Sequence, residues 1–390
     1  MNVTPPTEFD LATRAVHAGR EDLSDLGLHA VPLDLSTTYP ARSSEAEALR
    51  LDAITGGEEP AGGPVYGRLG NETVRRFETA LAKLEGTDAA VAYSTGMAAM
   101  SACLLAAVAA GKPHVVGVRP LYGTSDHLLG SGLLGNRISW ASSPDQVAEL
   151  IGPDTGLVVA ETPANPTLAE IDIRALADAC GDVPLLIDNT FATPVLQRPV
   201  MHGATYVLHS ATKFLGGHGD TMGGVVACGE GEARSLRQIR HVTGAILHPL
   251  AGYLLLRGLS TLPVRVRTAS QSAADIADRL AAHARVRAVH YPTRHENRPA
   301  GQLEGGGALV SFEVEGDARA VVAGVRLITP AVSLGSVDTL IQHPASLTHR
   351  IVDAADRHAG GIDESLVRLS VGLEHVDDLW DDLGKALAGA

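Results

Sequence analysis

"PLLIDNTFATPVLQRPVMHGATYVLHSATKFLGG", residues Pro184–Gly217, holds two short, nearly continuous apolar runs, each ending in groups that a hydrocarbon core would reject. The first run ends in Asp188; the second ends in Ser210, Thr212 and Lys213. Apolar runs of this length without alternation belong to strands buried on both faces, as in parallel sheets covered by helices. The same pattern recurs upstream in GLVVAE (156–161), HVVGV (114–118) and AAVAY (89–93). Between these runs lie helical stretches: VRRFETALAKLEG, ended by Gly86, an Ala-rich segment from Gly96 to Ala110, and DIRALADACG. Such alternation predicts an α/β fold with a mostly parallel sheet, and ligand-binding residues at the C-terminal ends of its strands. Asp188, Ser210, Thr212, Lys213, Glu161 and Asn165 all fall at such ends.

The chain has 390 residues and a formal charge of −14, so it lacks the basic excess that nucleic acid or an anionic membrane would demand. Three cysteines, Cys103, Cys180 and Cys228, are widely spaced in apolar surroundings and form neither a disulfide framework nor a metal motif. His209 and His218 flank the lysine without zinc spacing or acidic companions, so no metal is expected. The start carries no signal-peptide pattern, and the longest apolar stretch is shorter than the roughly 20 residues that span a bilayer. A cytoplasmic enzyme is expected. Residues 1–65 read as an arm followed by a mobile loop over 41–64, rich in GG, EEP and AGGP. Residues 66–250 read as the large domain and 251–390 as a small one, opening with one long helix or a pair and continuing through VRAVHYP and GALVSFEVEG to a last helix. The loop over 41–64 and the TRHENRPAGQLEGGG segment are candidates for closing over substrate.

A carboxylate from one strand and a lysine from the next suit pyridoxal phosphate (PLP), which needs an amine for its aldehyde, an anion for its ring nitrogen and donors for its phosphate. The phosphate donors are expected in YSTGMAA, where a strand enters a helix through Ser94, Thr95, Gly96 and Met97. The free amides of that helix start face an anion, and glycine permits close approach. Ser210 and Thr212 add hydroxyls. Taken singly, Asp188 reads more readily as a turn or cap residue; its joint presence with Lys213 and this helix start favours the cofactor.

With these residues in place, the chain resembles the Cys/Met metabolism family of PLP enzymes, which contains cystathionine γ-synthase, cystathionine γ-lyase and methionine γ-lyase. The resemblance runs from TRAVHAG through PVYGRLGNET, LAKLEGTDAAVAYSTGMAA, LYGTS, ETPANPT, IDNTFATP, HSATKFLGGHGD and SLGSVDTLIQHPASLTH to LVRLSVGLEHVDDLWDDL. It implies the PLP-dependent transferase fold of aspartate aminotransferase (fold type I), with a smaller α+β C-terminal domain and a homotetramer built as a dimer of dimers. It further implies that Lys213 is the Schiff-base lysine and Asp188 the partner of the ring nitrogen. Gly96, Met97, Ser210 and Thr212 correspond to phosphate ligands, Tyr122 to the ring-stacking tyrosine that acts as an acid, and Asn165 to a neighbour of the ring oxygen. Tyr66 and Arg68 correspond to a pair that completes the neighbouring subunit's site, with Tyr66 also reaching substrate; here Gly67 and Glu72 stand where the family usually has Ser and Pro. Arg368 and Ser333 correspond to the site for the substrate carboxylate.

Within the family the pattern is most similar to methionine γ-lyase. Val332 stands where cystathionine-handling members place Glu, and an apolar residue suits an uncharged thioether tail. Thr124, Arg240 and His241 depart from the methionine γ-lyase pattern of Cys and a Lys-Asp pair. The expected activity is γ-elimination from methionine, with cystathionine γ-lyase, γ-synthase or O-acylhomoserine sulfhydrylase chemistry as alternatives and a non-catalytic PLP-fold binding protein as a different class. Two other enzyme classes are excluded. Ser210 and Lys213 satisfy S-x-x-K, but the accompanying S-D-N and K-T-G elements of penicillin-binding enzymes are missing, and no G-x-G-x-x-G dinucleotide element follows an early strand.

Overall fold

The computed structural model describes residues 9–41, 43–59, 61–296, 298–350, 357 and 360–390. The first eight residues of the expected arm, Arg42 and Pro60 of its loop, and Asn297 of the TRHENRPAGQLEGGG segment lie outside the described residues.

Seven strands form the larger sheet: β1 (Ala89–Tyr93), β2 (His114–Val118), β3 (Arg137–Ala141), β4 (Thr155–Glu161), β5 (Leu185–Asp188), β6 (Tyr206–Ser210) and β7 (Gly224–Cys228). Their order is β1-β7-β6-β5-β4-β2-β3, and every neighbouring pair is parallel except those made by β7. Residues in the middle strands, such as Val158, Ile187 and Val207, are fully buried because helices cover both faces. On one face lie Phe77 and Leu81 of helix Glu72–Glu85 and Val266 of helix Leu262–Ala281. On the other lie Met100 and Leu104 of helix Gly96–Ala109 and Leu236 of helix Glu230–Thr243. Burying each such Val, Leu or Ile contributes about 1.5–3 kcal/mol.

Two strands of this sheet were not foreseen. β3 sits at the sheet edge with a partly exposed burial pattern, so its RISWA sequence lacks the apolar run of its neighbours. β7 follows a glycine-rich segment that reads as loop and runs against β1 and β6. Its direction places Gly224 beside Tyr93 and Ser210, at the same edge of the sheet where β1 and β6 end.

The expected loop over 41–64 is corrected in part, because Ser44–Thr55 is an α-helix. Ser43 caps it by accepting from the Ala46 amide at 3.1 Å, and acidic Glu45 and Glu47 lie in its first turn. Of its residues only Ile54 is buried, so the apolar stripe by which a helix is read from sequence is missing. The arm likewise contains a short helix, Leu11–His17, capped by Asp10.

Helices Pro249–Leu259 and Leu262–Ala281 lead into a five-stranded sheet. Its strands are β8 (Val286–His290), β9 (Leu309–Val314), β10 (Thr329–Pro330), β11 (Leu340–Gln342) and β12 (Leu366–Ser370), in the order β10-β11-β12-β9-β8. Only the β10–β11 pair is parallel. Helix Val376–Gly389 closes its core through Leu379 and Leu383. Cys103, Cys180 and Cys228 are buried free thiols. No helix among the described residues is long and apolar enough to cross a membrane.

Candidate functional site

The parallel register sets Glu161 beside Asp188 at the ends of β4 and β5, with Asp188 opposite Leu208 of β6. Asp188 is held by Thr190, whose amide and hydroxyl donate to Oδ1 at 3.0 and 2.5 Å. The same Thr190 hydroxyl accepts from the Ser210 amide at 2.9 Å, which ties the tip of β5 to that of β6. Among the described residues none donates to Asp188 Oδ2, so one oxygen remains for a cationic ring nitrogen. Burial pushes the Asp188 carboxyl above its usual range, against the pull of the Thr190 donors and the nearby His209. A bound cation would relieve that penalty.

His209 is buried behind this edge, 2.6 Å from Glu85 Oε1, and Asn189 donates to the same oxygen at 3.2 Å. Together they fill the interior under the strand tips. His218 Nδ1 lies 2.9 Å from the Gly216 carbonyl.

An anion cradle is built at the start of helix Gly96–Ala109. Thr95 caps it by accepting from the Ala98 amide at 3.0 Å, and the amides of Gly96 and Met97 have no acceptor among the described residues. A Cβ on Gly96 would lie 3.0 Å from Ser210 Cβ and 3.2 Å from its hydroxyl. A Cβ on Gly224 would run into the Thr95 carbonyl and come within 2.6 Å of the Gly96 nitrogen. Glycine at both positions therefore lets the helix start, β6 and β7 meet at one point. Met97 Sδ accepts from the Ser125 hydroxyl at 3.9 Å. Thr212 faces its own loop, its hydroxyl bonded to both the amide and the carbonyl of Gly223.

Lys213 follows in the turn after β6, and its Nζ donates to Ser333 Oγ at 2.7 Å. Burial, helped by the Arg368 charge, lowers its amine to about 8. The neutral nucleophile is thus present more than two pH units earlier than for a free lysine at about 10.4. Loading of pyridoxal phosphate onto enzyme stripped of it is therefore expected to quicken as pH rises through about 8; stopped-flow absorbance across pH 6–11 checks this, and a midpoint near that of free lysine contradicts it.

Ser333 has φ of 100°, a left-handed conformation that costs a non-glycine residue about 1–3 kcal/mol. This backbone turns its hydroxyl to Lys213 and its carbonyl to Arg368, which donates from Nη2 at 2.8 Å. Gly335 packs on the lysine turn so closely that a Cβ would lie 2.6 Å from the Phe214 nitrogen. Arg368, fully buried on β12, also donates from Nη1 to Asn165 Oδ1 at 2.6 Å. With its amide oxygen turned inward, Gln342 on the paired strand accepts from Arg368 Nη2 at 2.6 Å. Glu161 closes the set: Oε2 accepts from the Tyr122 amide at 2.7 Å and Oε1 from the Asn165 amide at 2.8 Å. An unbroken polar path therefore runs from Tyr122 through Glu161, Asn165, Arg368 and Ser333 to Lys213. Val332, one residue before Ser333, is exposed.

Tyr66 and Arg68 stand apart from this cluster. Tyr66 is exposed, the Arg68 guanidinium carbon lies 5.7 Å from its ring centroid, and Arg68 Nη1 donates to the His241 carbonyl at 2.6 Å. Arg68 borders a separate cavity of about 270 Å³ with Glu78, Arg240 and His241. Gly67, at the departure from the family pattern, is fixed by donating to the Thr37 carbonyl at 2.8 Å, and Glu72 opens a helix capped by Asn71. Arg240 is engaged in a buried pair with Glu78 at 2.5 Å, and burial lowers His241 to about 4. Thr124 lies in the first turn of helix Gly123–Ser131.

Thr190, Gln342 and Gly224 were missed from sequence. Thr190 carried a usable signal, an Asp at a strand end with a hydroxyl two residues on. Gln342 and Gly224 carried none, since both gain their meaning from strand pairing.

A profile of the Cys/Met metabolism PLP-dependent enzyme family matches residues 12–388. An L-methionine gamma-lyase of Streptomyces avermitilis is 68% identical over 383 residues, spanning 98% of this chain and 90% of that protein. One from Brevibacterium sandarakinum is 53% identical over 384 residues, 96% of each. Among solved structures, a cystathione gamma lyase from Micromonospora echinospora superposes with a TM-score of 0.88 at 35% identity, covering 98% of this chain and 100% of that one. The fold is thus the α/β fold expected from the sequence.

Proposed function

The chain belongs to the Cys/Met metabolism family of PLP-dependent enzymes, and from that premise we propose that it is a methionine γ-lyase, releasing 2-oxobutanoate, ammonia and methanethiol from L-methionine. It is a PLP-dependent carbon-sulfur lyase acting on a small-molecule substrate. The observation that carries the substrate reading is Val332, exposed and one residue before Ser333, the partner of Lys213, where it would offer an apolar side chain and no charge to a substrate tail.

The residues fit the cofactor: Lys213 would hold its aldehyde, Asp188 Oδ2 its ring nitrogen, Ser210 with the Gly96 and Met97 amides its phosphate, and Asn165 its ring oxygen. Tyr122 would stack on the ring. Thr212, bound to Gly223, would join the phosphate set by turning its hydroxyl. When bound, PLP supplies an electron sink that makes the substrate's α- and β-protons acidic. Arg368 binds the substrate carboxylate through its planar fork and fixes the α-carbon near Lys213. Lys213 Nζ, near neutrality as a free amine, takes the α-proton and carries protons between carbons. Tyr122 gives its hydroxyl proton to the departing sulfur.

Further inferences rest on the same membership. The arm (1–65), large (66–250) and small (251–390) domains would assemble as a homotetramer, a dimer of dimers. Tyr66 and Arg68 would there serve a neighbour's site; the exposure of Tyr66 and the bond of Arg68 to the His241 carbonyl, with no hydrogen bond to the Lys213 cluster among the described residues, support this. Three buried free thiols support a cytoplasmic setting. The substrate assignment is tested by assaying 2-oxobutanoate from methionine and from cystathionine. Methionine is expected to be turned over at least about tenfold more efficiently, a difference of ~1.4 kcal/mol that one unpaired ammonium against Val332 readily exceeds. Faster turnover of cystathionine overturns it.

A further inference from the structure

We propose that Glu161 is a positioning residue for Tyr122, its carboxyl bracing the tyrosine's backbone so that the hydroxyl meets the leaving group. This rests on the lyase reading above and assigns a role to a buried acid that the reaction itself does not use.

The geometry is specific. Glu161 ends β4, and its two oxygens are separately engaged: Oε2 accepts from Tyr122 N at 2.7 Å, Oε1 from Asn165 N at 2.8 Å. Tyr122 occupies the N-cap of helix Gly123–Ser131 with no side-chain cap of its own. The Glu161 bond is the polar contact that fixes its main chain on the sheet side, and fixing the main chain fixes the direction of Cα–Cβ and hence of the ring. The other oxygen steadies Asn165, whose side chain in turn accepts from Arg368. A single carboxyl therefore references the proton donor and the carboxylate-binding arginine to the same strand tip.

Retaining an acid here is costly, so a neutral space-filler would be expected if packing alone mattered. Glu161 is buried, and burial with the adjacent Asp188 charge raises it well above the usual carboxylate range; the Tyr122 and Asn165 amides and the Arg368 charge oppose that rise. The facing charged and titratable groups are thus Asp188 on β5, Arg368 on β12 and Tyr122 after β2. Two backbone donors converge from opposite sides, and only a carboxyl presents an acceptor to each. Glutamine of the same shape would turn an NH2 group toward one of them, donor against donor, and one anchor must open. A displacement of the proton donor by about 1 Å costs on the order of 100-fold in rate.

The test compares E161Q, Y122F and the double variant as holoenzymes on whichever γ-substituted amino acid the wild type turns over fastest, so that failure on methionine counts against the substrate assignment alone. E161Q is expected to keep the bound-cofactor absorbance and a KM within about threefold, and to lose kcat by roughly 10- to 100-fold. In the Y122F background the same change is expected to cost less than about threefold, because there is no hydroxyl left to aim. An O-acyl γ-substituent, which leaves without needing a proton, should show a smaller E161Q loss than a thioether. Wild-type kcat in E161Q, additive losses in the double variant, an equal loss with the O-acyl substrate, or failure of E161Q to fold or retain cofactor would each overturn the proposal; the last would mean that the carboxyl holds the fold and not the tyrosine.

Discussion

Lys213→Ala is expected to abolish γ-elimination, with turnover falling by roughly 10⁴-fold or more. The side chain is the only amine among the described residues of the cluster built by Asp188, Ser210, Tyr122 and Arg368, and in the proposed mechanism it would supply both the covalent hold on the cofactor and the base that moves substrate protons. Both functions need an amine that is neutral near physiological pH, and burial beside Arg368 brings it to about 8. The phosphate cradle and Asp188 are untouched by the change, so the variant should still bind pyridoxal phosphate, without the visible band of the lysine-bound form. An absorbance scan with a single-turnover assay decides the matter. An unchanged spectrum and appreciable turnover would show that another group does this work.

The second large effect is expected from Arg368→Lys, which keeps the charge and removes the fork. Arg368 divides its donors among the Asn165 side chain, the Ser333 carbonyl and the Gln342 amide, with Arg368, Asn165 and Gln342 buried and Ser333 half-buried. An ammonium cannot reach these acceptors and a substrate carboxylate together, so buried acceptors lose partners as the substrate loses its bidentate grip. KM for the amino acid should rise roughly 100-fold, about 2.7 kcal/mol, with a smaller change in kcat. The bound-cofactor spectrum should stay close to that of the wild type, because the arginine is not among the cofactor's expected ligands. Steady-state kinetics with methionine checks the split, and an unaltered KM would remove Arg368 from the substrate site.

Much of this site is legible in the sequence because parallel strands announce themselves twice, by an apolar run and by the polar residues at its end. Asp188, Lys213 and Ser210 were readable in that way. Groups defined by pairing were not. β7 follows a glycine-rich segment that looks like loop, and Gly224 matters only because an antiparallel strand brings it against Thr95 and Gly96. Helix Ser44–Thr55 hides for the opposite reason: nearly all of it faces outward, so it lacks the stripe that marks a helix against a core. Glu161 was visible as a strand-end acid, but its partners lie 39 residues upstream and four downstream, and no local pattern ties them together. Tyr66 and Arg68 show a further limit, since residues that would work for a neighbouring copy form no cluster within their own chain.

Ser333 joins two bodies of the protein through one strained residue: its hydroxyl touches an amine held by the seven-stranded sheet, and its carbonyl touches a guanidinium held by the five-stranded one. A newcomer that draws the guanidinium toward itself also slackens the grip on the amine. With the roles proposed for Arg368 and Lys213, recognition at one end of the ligand would be geared to release of the nucleophile at the other, and a compound lacking the acid group would leave the gear disengaged.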